Sequence, residues 1–520
     1  MIQGFKLFYQ FVVACGLVLL AAPLHAGKSG RDPNAAPMRR ELNQPSREQS
    51  QELRLVTSSL PHEVVLLNSG IGSLYQRLLI IEAAKKSIDI EYFIFREDIS
   101  SRILINALLR KAKEGVRVRI LVDGTPVIWT LKGYHAKVLK SLGIELKFYN
   151  PTPMIAQFTK SQHRNHRKLM VVDNLTAILG GRNIADEYFD LKQTYNFLDR
   201  DLLVRGPIVE KIQKGFEVFW NYQYSEIATA EPPTPQEFGF ATEREASMTS
   251  KGAHMLAEYR SAKRAYQEGM NGAYRMVRLS QDDLQVLEQV IRVGAFELAR
   301  EYKAVCENNV FFGDLPSLKS KARVAHNYLL GLFSQAKKSL VIESPYFIIS
   351  PNEPFFDRPL RSQVDVRILT NSIYSTDAIP SAAVFTNRIY DLLHKGARTW
   401  VYEGQAPQWT EFVDGGGEFA RWGVHAKTAV VDHKDSVIMT YNIDPRSQSW
   451  NSEMGYACLD NPGLANAIQS DIDRAIGQSV ELNKDGAPRD GRSRYFKTSI
   501  NKVILSLILN PFSELFSFLL

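Results

Sequence analysis

Two stretches of this chain set the same three polar residues at the same spacing into otherwise apolar runs. "NHRKLMVVD" (165–173) holds His166, Lys168 and Asp173, and "VHAKTAVVD" (424–432) holds His425, Lys427 and Asp432. With 10 histidines in 520 residues, and Lys and Asp each near ~5% of residues, a chance H-x-K-x4-D match arises in only about three chains in a hundred. A matched pair is therefore not noise. An imidazole titrates near ~6.5, so one of two can be neutral and nucleophilic while its partner is protonated and acidic. Beside them, an ammonium group suits the non-bridging oxygens of a phosphodiester and the charge that builds on them. No step of that chemistry needs a metal. "HRNH" (163–166) has the spacing of an i, i+3 ligand pair, but the second copy carries Trp422 where His163 would fall, so no metal site and no cofactor is assigned.

Each motif needs an element to hold it. Residues 168–172 have a strand pattern, which puts His166 and Lys168, two apart, on one face. Asp173-Asn174-Leu175-Thr176 reads as a turn, and "AILGGRN" (177–183) returns as the partner strand, bringing Asn183 and the small Gly180 and Gly181 next to His166 and Lys168. The second copy repeats this with a turn at "DHKD" (432–435) and "VIMTYN" ending at Asn442. Asn183, Asn442, Gly181 and Thr440 are thus candidates for the phosphate pocket. The motif groups Asp173 and Asp432 with the catalytic residues, while their place at the turn starts suits bracing the hairpins. "HAK" at 135–137 lacks the following Asp and reads as part of an amphipathic helix.

The rest of the chain duplicates as well. "AKKSIDIEYFI" (84–94) is echoed by "AKKSLVIESPYFI" (336–348), and "VRVRILVDG" (116–124) by "VDVRILTNS" (364–372), with offsets of 252 residues at the first pair and 259 at the His motifs. Strands alternate with amphipathic helices such as 102–114, so the chain is two copies of one α/β unit. The boundaries read as a first unit at 61–225, a helical connector at 226–307 opening on the breaker "EPPTPQ" (231–236), and a second unit at 308–480.

The ends differ from the body. Lys6, the apolar run "FVVACGLVLLAA" (11–22) and "PLHA" ending at Ala26 have the layout of a secretory signal, or of an uncleaved anchor, within residues 1–26. Residues 27–60 read as a polar, proline-bearing tether. Cys306 and Cys458 follow the signal, and their spacing leaves pairing open. In the tail, 481–520, Arg489, Arg492, Arg494, Lys497 and Lys502 lead into a helix with Ile500, Val503, Ile504, Leu507 and Ile508 on one face. That face suits either a membrane interface or the protein's own core. The net charge of +7, with 45% hydrophobic and 23% charged residues, fits a globular protein with an anionic partner.

The twin H-x-K-x4-D with its following G-G-x-N resembles the phospholipase D superfamily. "GGRNIADEYF" (180–189), "FYNP" (148–151), "TNSIYSTD" (370–377) and "YNIDPRSQSWNSEMG" (441–455) are similar to bacterial cardiolipin synthases of the C type. The resemblance implies two pseudo-symmetric phospholipase D-like α/β/α sandwich units with the active site at their interface. It implies His166 as the nucleophile that forms a phosphohistidine, His425 as the general acid, and a carboxylate some thirty residues beyond each histidine that orients an imidazole. Glu453 and Asp201 fit those places, with Asp199 as a rival to Asp201. The implied reaction is phosphatidyl transfer between phospholipids at a membrane surface, with phosphatidylglycerol and phosphatidylethanolamine as candidate substrates. The alternatives are a hydrolase releasing phosphatidic acid and an exported metal-independent nuclease; with the first reading no nucleic-acid partner is expected. An export signal places the protein in the bacterial cell envelope. One departure stands out: Met439-Thr440 replaces the Gly-Gly pair in the second copy, which is expected to crowd that half of the phosphate pocket while Thr440 supplies a hydroxyl.

Overall fold

Alternating buried strands and one-sided helices build two sheets of nine strands each. The computed structural model describes residues 55–512 apart from 125–130, 153–157, 319–322, 350–353, 409–410 and 413–418. The N-terminal signal or anchor, most of the tether, most of the apolar segment 151–158 and the end of the tail lie outside the described residues.

In spatial order the first sheet runs Ser225–Glu226, Ile144–Tyr149, Arg117–Asp123, Ser87–Tyr92, Leu169–Val172, Thr176–Gly180, Asp201–Arg205, His62–Leu67 and Lys303–Cys306. The second runs Ser479–Glu481, Arg398–Tyr402, Asp365–Asn371, Ser339–Glu343, Thr428–Val431, Asp435–Met439, Met454–Leu459, Asn308–Gly313 and Leu55–Ser58. The two orders match strand for strand, so the repeat seen in the sequence is a repeat of topology. In both, two parallel crossovers feed the centre of the sheet and the motif hairpin pairs antiparallel beside it. The helix Ile99–Lys113 shows how local chemistry sets these elements. Asp98 caps its start in a reciprocal bond with Ser101, its face of Ile103, Leu104, Ala107 and Leu108 is buried, and Gly115 closes it at φ 88°.

The halves share more than an α/β/α sandwich for each requires. The helices Ile208–Trp220 and Pro462–Ile476 place Ile212, Phe216, Phe219, Ile468 and Ile472 in one apolar core that also contains Leu169 and Leu202 of the first sheet and Val341 and Val430 of the second. The middle helical layer thus serves both sheets. Edge strands are exchanged too. Leu55–Ser58, which precedes the first unit, pairs antiparallel with Asn308–Gly313 of the second sheet, and Lys303–Cys306, at the end of the connector, pairs with His62–Leu67 of the first. The expected boundaries near residues 60 and 307 fall between strands, and at each the strand just before the boundary joins the sheet of the other half. Polar flanking sequence hid the strand at 55–58, where alternating exposure follows from an edge position. A disulfide joins Cys306 to Cys458, with Cα atoms 5.9 Å apart, and so ties the first sheet's edge to the second sheet.

The connector helices Ser250–Met276 and Gln281–Arg300 extend the first half's outer core, contributing Met276, Val290 and Val293. At the other end, the tail helix Ile500–Leu509 packs on Ile379–Arg388. It buries Ser506 and Leu509, and leaves Ile500, Ile504, Leu507 and Ile508 exposed. Its basic lead is paired with acids of the body: Arg489 lies 3.0 Å from Glu481, and Arg492 and Lys497 lie 2.8 and 3.1 Å from Glu403. No helix among the described residues is long and apolar enough to cross a membrane.

Because the disulfide closes a separation of 152 residues, replacing both Cys306 and Cys458 by Ala is expected to lower stability by about 2–4 kcal/mol. Denaturant unfolding of the oxidised protein and the double variant measures it; coincident curves show that the link adds nothing.

Candidate active site

The motif hairpins form as their patterns require. Leu169 pairs with Leu179 and Val172 with Thr176, while Thr428 pairs with Ile438 and Val431 with Asp435. Asp173 and Asn174 (φ 54° and 57°), and Asp432 and His433 (φ 51° and 59°), take the left-handed turn conformation that short polar side chains tolerate. Asp173 accepts the backbone N–H groups of Lys85, Lys86 and Ser87 at 2.7–2.8 Å, and Asp432 those of Lys337, Lys338 and Ser339 at 2.7–3.0 Å. Burial alone raises their pKa values, but these N–H donors more than offset it and hold both below the usual carboxylate value. Both aspartates, grouped by the motif with the catalytic residues, are therefore hairpin braces: all their bonds run to the backbone entering the adjacent central strand.

The histidines emerge where the halves are stitched together. Tyr195–Leu198 of the first half runs parallel to Arg421–Val424 of the second, and the Leu198 carbonyl accepts from the His425 backbone N–H at 2.7 Å. Across the site, Asn165 bridges to Ser452, and the Ser452 carbonyl accepts from the His166 N–H at 3.0 Å. In each case the next residue is a buried carboxylate that meets the imidazole of the other half. His166 Nδ1 lies 2.9 Å from Glu453 Oε2, and His425 Nδ1 lies 2.5 Å from Asp199 Oδ2. With both Nδ1 atoms engaged, Nε2 is the reactive nitrogen of each ring. Lys168 and Lys427 donate to the carbonyls of their own histidines at 2.8 and 2.6 Å, and Lys427 Nζ also lies 3.1 Å from the His425 ring.

Burial and repulsion between like charges dominate the electrostatics. Burial takes His166 down to about 4, with Glu453 opposing and Lys168 and Lys427 adding to the fall. Burial and Lys427 take His425 down to about 3 against the pull of Asp199. Lys168 falls to about 7 and Lys427 to about 8, chiefly by burial, and Lys427 lowers Lys168 further. Although burial works against it, Asp199 is held at about 2 by His425 and Lys427. Groups of one half thus shift groups of the other.

Several expected residues have other partners. Asp201 does not orient an imidazole: it bonds Ser73 at 2.9 Å and Arg77 at 2.8 Å, in a buried ion pair. The strand register explains it. Gly180 faces Asp201 as Met439 faces Gly455, so the counterpart of Glu453 is Asp199, the rival. The Gly-Gly pair leaves room for these two acids, since a Cβ on Gly180 meets Asp201 and one on Gly181 meets Asp199. Gly181, expected at the phosphate, thus makes space for a carboxylate. Met439 is fully buried in the second half's outer core opposite Gly455 and does not crowd the pocket. Thr440, also expected at the phosphate, donates instead to Glu453 at 2.6 Å, as Ser447 does at 2.9 Å. Asn183 accepts from the Ile94 N–H at 3.1 Å and donates to Tyr188 at 2.9 Å, whereas the buried Asn442 Oδ1 has no hydrogen-bond partner among the described residues. The aromatic walls escaped sequence reading: Phe93 stands edge-on to His166 at 5.2 Å between centroids, and Tyr188 and Phe197 lie against His425 at 5.0 and 4.8 Å. Their only signal is position, at strand ends and in the "DEYF" following Asn183.

Two duplicated sheets meeting at a pair of histidines, each with a lysine and a carboxylate from opposite halves, define a phosphodiester-processing class. The family described as "Cardiolipin synthase, PLD-like domain" matches residues 78–220 and 329–476, and the chain belongs to it. It is 28% identical over 442 residues to an uncharacterised protein of Helicobacter pylori, covering 80% of each chain. To the protein named cardiolipin synthase C of Escherichia coli K12 it is 26% identical over 429 residues, covering 77% of this chain and 82% of that one. Among solved structures, the phosphatidylserine synthase of Haemophilus influenzae aligns with a TM-score of 0.58 at 13% identity, over 89% of this chain and 97% of that one, which speaks for the fold.

As the lysines lose their protons while pH rises through about 7 and about 8, affinity for a singly charged phosphodiester is expected to fall. Calorimetric titration with dimethyl phosphate, whose own charge is constant there, should show binding weaker by about tenfold between about pH 6.5 and about pH 9. Equal affinity at both ends removes the lysines from anion binding. Asp173→Ala is expected to cost about 1–3 kcal/mol in unfolding free energy. Because its carboxyl pKa is depressed, the contribution of Asp173 is present above the unfolded-state value and lost as pH falls through the folded one. An unchanged unfolding curve at neutral pH speaks against the brace.

Proposed function

We propose that this protein is a phosphatidyltransferase that works through a phosphohistidine on His166 and uses a phospholipid alcohol as acceptor, with cardiolipin as the product. His166 Nε2 attacks phosphorus while His425, protonated at Nε2, delivers its proton to the departing alcohol. The acceptor hydroxyl then gives its proton back to His425 and displaces His166. Lys168, Lys427 and Asn442 hold the non-bridging oxygens.

The observation that carries this reading is the unequal setting of the two imidazoles. Glu453 accepts two hydroxyl bonds, from Thr440 and Ser447, besides its bond to His166. Those donors spread its charge, while burial keeps His166 neutral with a free Nε2 lone pair. Asp199 faces His425 at 2.5 Å and, among the described residues, accepts at its other oxygen the Arg200 N–H, at 2.7 Å. That fuller charge supports an imidazolium on His425. Burial and Lys427 hold His425 toward neutrality; the negative charge of a bound phosphodiester offsets them and makes the acid available. The aromatic walls favour transfer by limiting water around the intermediate.

The setting we propose is a membrane face outside the cytoplasm. The Cys306–Cys458 disulfide fits an oxidising compartment, and the exposed Ile500, Ile504, Leu507 and Ile508 fit shallow contact with lipid. Similarity to cardiolipin synthase C supports phospholipid substrates.

Product analysis tests the proposal. The full chain, incubated with phosphatidylglycerol vesicles with and without phosphatidylethanolamine and with EDTA throughout, is expected to make cardiolipin. His166→Ala is expected to abolish it, and His425→Ala to slow it by about 10²–10⁴-fold. Phosphatidic acid as sole product makes the enzyme a hydrolase; cleavage of DNA without lipid turnover makes it a nuclease. Appreciable activity in His166→Ala rules out the covalent intermediate.

A further inference from the structure

The stretch "TNSIYSTD" (370–377) follows a central strand of the second sheet and ends in a carboxylate that the chemistry above does not use. The Tyr346 hydroxyl donates to Asp377, 2.9 and 3.1 Å from its two oxygens. Solvent reaches Asp377, yet surrounding protein raises its carboxyl pKa against the effects of Tyr346 and Lys427. Asp377 is thus open to solvent on one side and oriented by the Tyr346 hydroxyl on the other.

Contacts lead from the loop that carries Asp377 to the reacting centre. The Tyr195 hydroxyl crosses from the first half to donate to the Ser375 carbonyl at 2.7 Å. Its ring meets Phe197 at 4.9 Å, and Phe197 meets His425 at 4.8 Å. Tyr188, edge-on to His425, and Lys427 both feel the Asp377 charge. Behind the loop, Lys502 of the tail helix donates to the carbonyls of Ile373, Tyr374 and Thr376 at 3.3, 3.1 and 3.0 Å, which fixes the backbone leading into Asp377. Asp377 is thus a pre-positioned acceptor of hydrogen bonds on the His425 side, where an incoming alcohol must deliver its proton.

Resting on the transferase reading, we propose that Asp377 forms an acceptor subsite selective for polyol headgroups. One hydroxyl of a glycerol-type headgroup donates to Asp377, whose orientation Tyr346 sets. A neighbouring hydroxyl then lies at the phosphohistidine. Its oxygen forms the new bond to phosphorus and its proton passes to His425 Nε2. The bond from phosphorus to His166 Nε2 breaks, its electron pair returning to the imidazole. An alcohol with a single hydroxyl, or water, reacts without the Asp377 bond and is captured less well. Tyr346 is a positioning residue in this scheme.

The test is a competition. The full chain is given phosphatidylglycerol vesicles with equal isotope-labelled glycerol and 1-propanol, and the ratio of labelled phosphatidylglycerol to phosphatidylpropanol is read. Both alcohols capture the same intermediate, so the ratio does not depend on how fast it forms. The wild type is expected to favour glycerol, Asp377→Ala to lower the ratio by about tenfold or more, and Tyr346→Phe to lower it by less in the same direction. Where Asp377→Ala does not fold, the Tyr346→Phe ratio decides. A ratio unchanged in the variants, with lipid still turned over, overturns the subsite and leaves the transferase reading intact. A wild type that turns over no phosphatidylglycerol overturns both.

Discussion

The exchange of carboxylates between the two halves is the interaction on which the rest of the structure depends. Glu453 and Asp199 are buried, and a buried carboxylate is costly unless it is paired and hydrogen-bonded. Each finds an imidazole only across the interface. Neither half therefore holds a complete histidine–carboxylate pair, and the duplication makes one site rather than two. The interface must in turn be rigid enough to keep these bonds within a few tenths of an ångström. The backbone pairings just before each histidine, the shared helical layer, the exchanged edge strands and the Cys306–Cys458 link all hold the same seam.

Pseudo-symmetry then gives way to unequal roles through small exchanges. Gly180 with Asp201 in one half is Met439 with Gly455 in the other: the bulk moves to the opposite strand and the spacing of the sheet is kept. In the first half the freed space admits a buried ion pair with Arg77; in the second it is filled with apolar core. One residue on, Gly181 leaves room for Asp199 whereas Thr440 bonds Glu453. The two imidazoles thereby receive carboxylates with different hydrogen-bond partners, which is the asymmetry that the proposed division into nucleophile and acid rests on.

The sequence made the repeat, the α/β class and the twin hairpins legible because each rests on local pattern: apolar runs of period two, a turn of short polar residues, and a second copy to check against. His166, Lys168, His425 and Lys427 were legible for the same reason, and the structure brings them together. Glu453 could be picked out only through resemblance. Asp201 was mistaken for its counterpart because five more residues separate the hairpin from the next strand in the first half than in the second; only strand register resolves that shift. The exchanged edge strands were invisible because partner choice at a sheet edge is tertiary. The aromatic walls were invisible because a Phe at a strand end looks the same whether it meets an imidazole or an aliphatic core.

Burial carries one further consequence. Four basic groups crowd a space from which water is largely excluded: desolvation pushes each toward neutrality, and Lys427 adds to the fall of His166, Lys168 and His425. Under the proposed mechanism a phosphodiester that enters brings a negative charge that raises these pKa values together, so binding and activation become a single event. The same dependence favours a bound lipid over bulk anions, since acyl chains add apolar burial at a membrane face while a free phosphate must meet the site with its hydration shell intact. In the proposed mechanism the lysines are more than static clamps: burial together with Lys427 holds His425 neutral until an anion stands beside it, and Asp199 then holds the proton in place for the leaving alcohol.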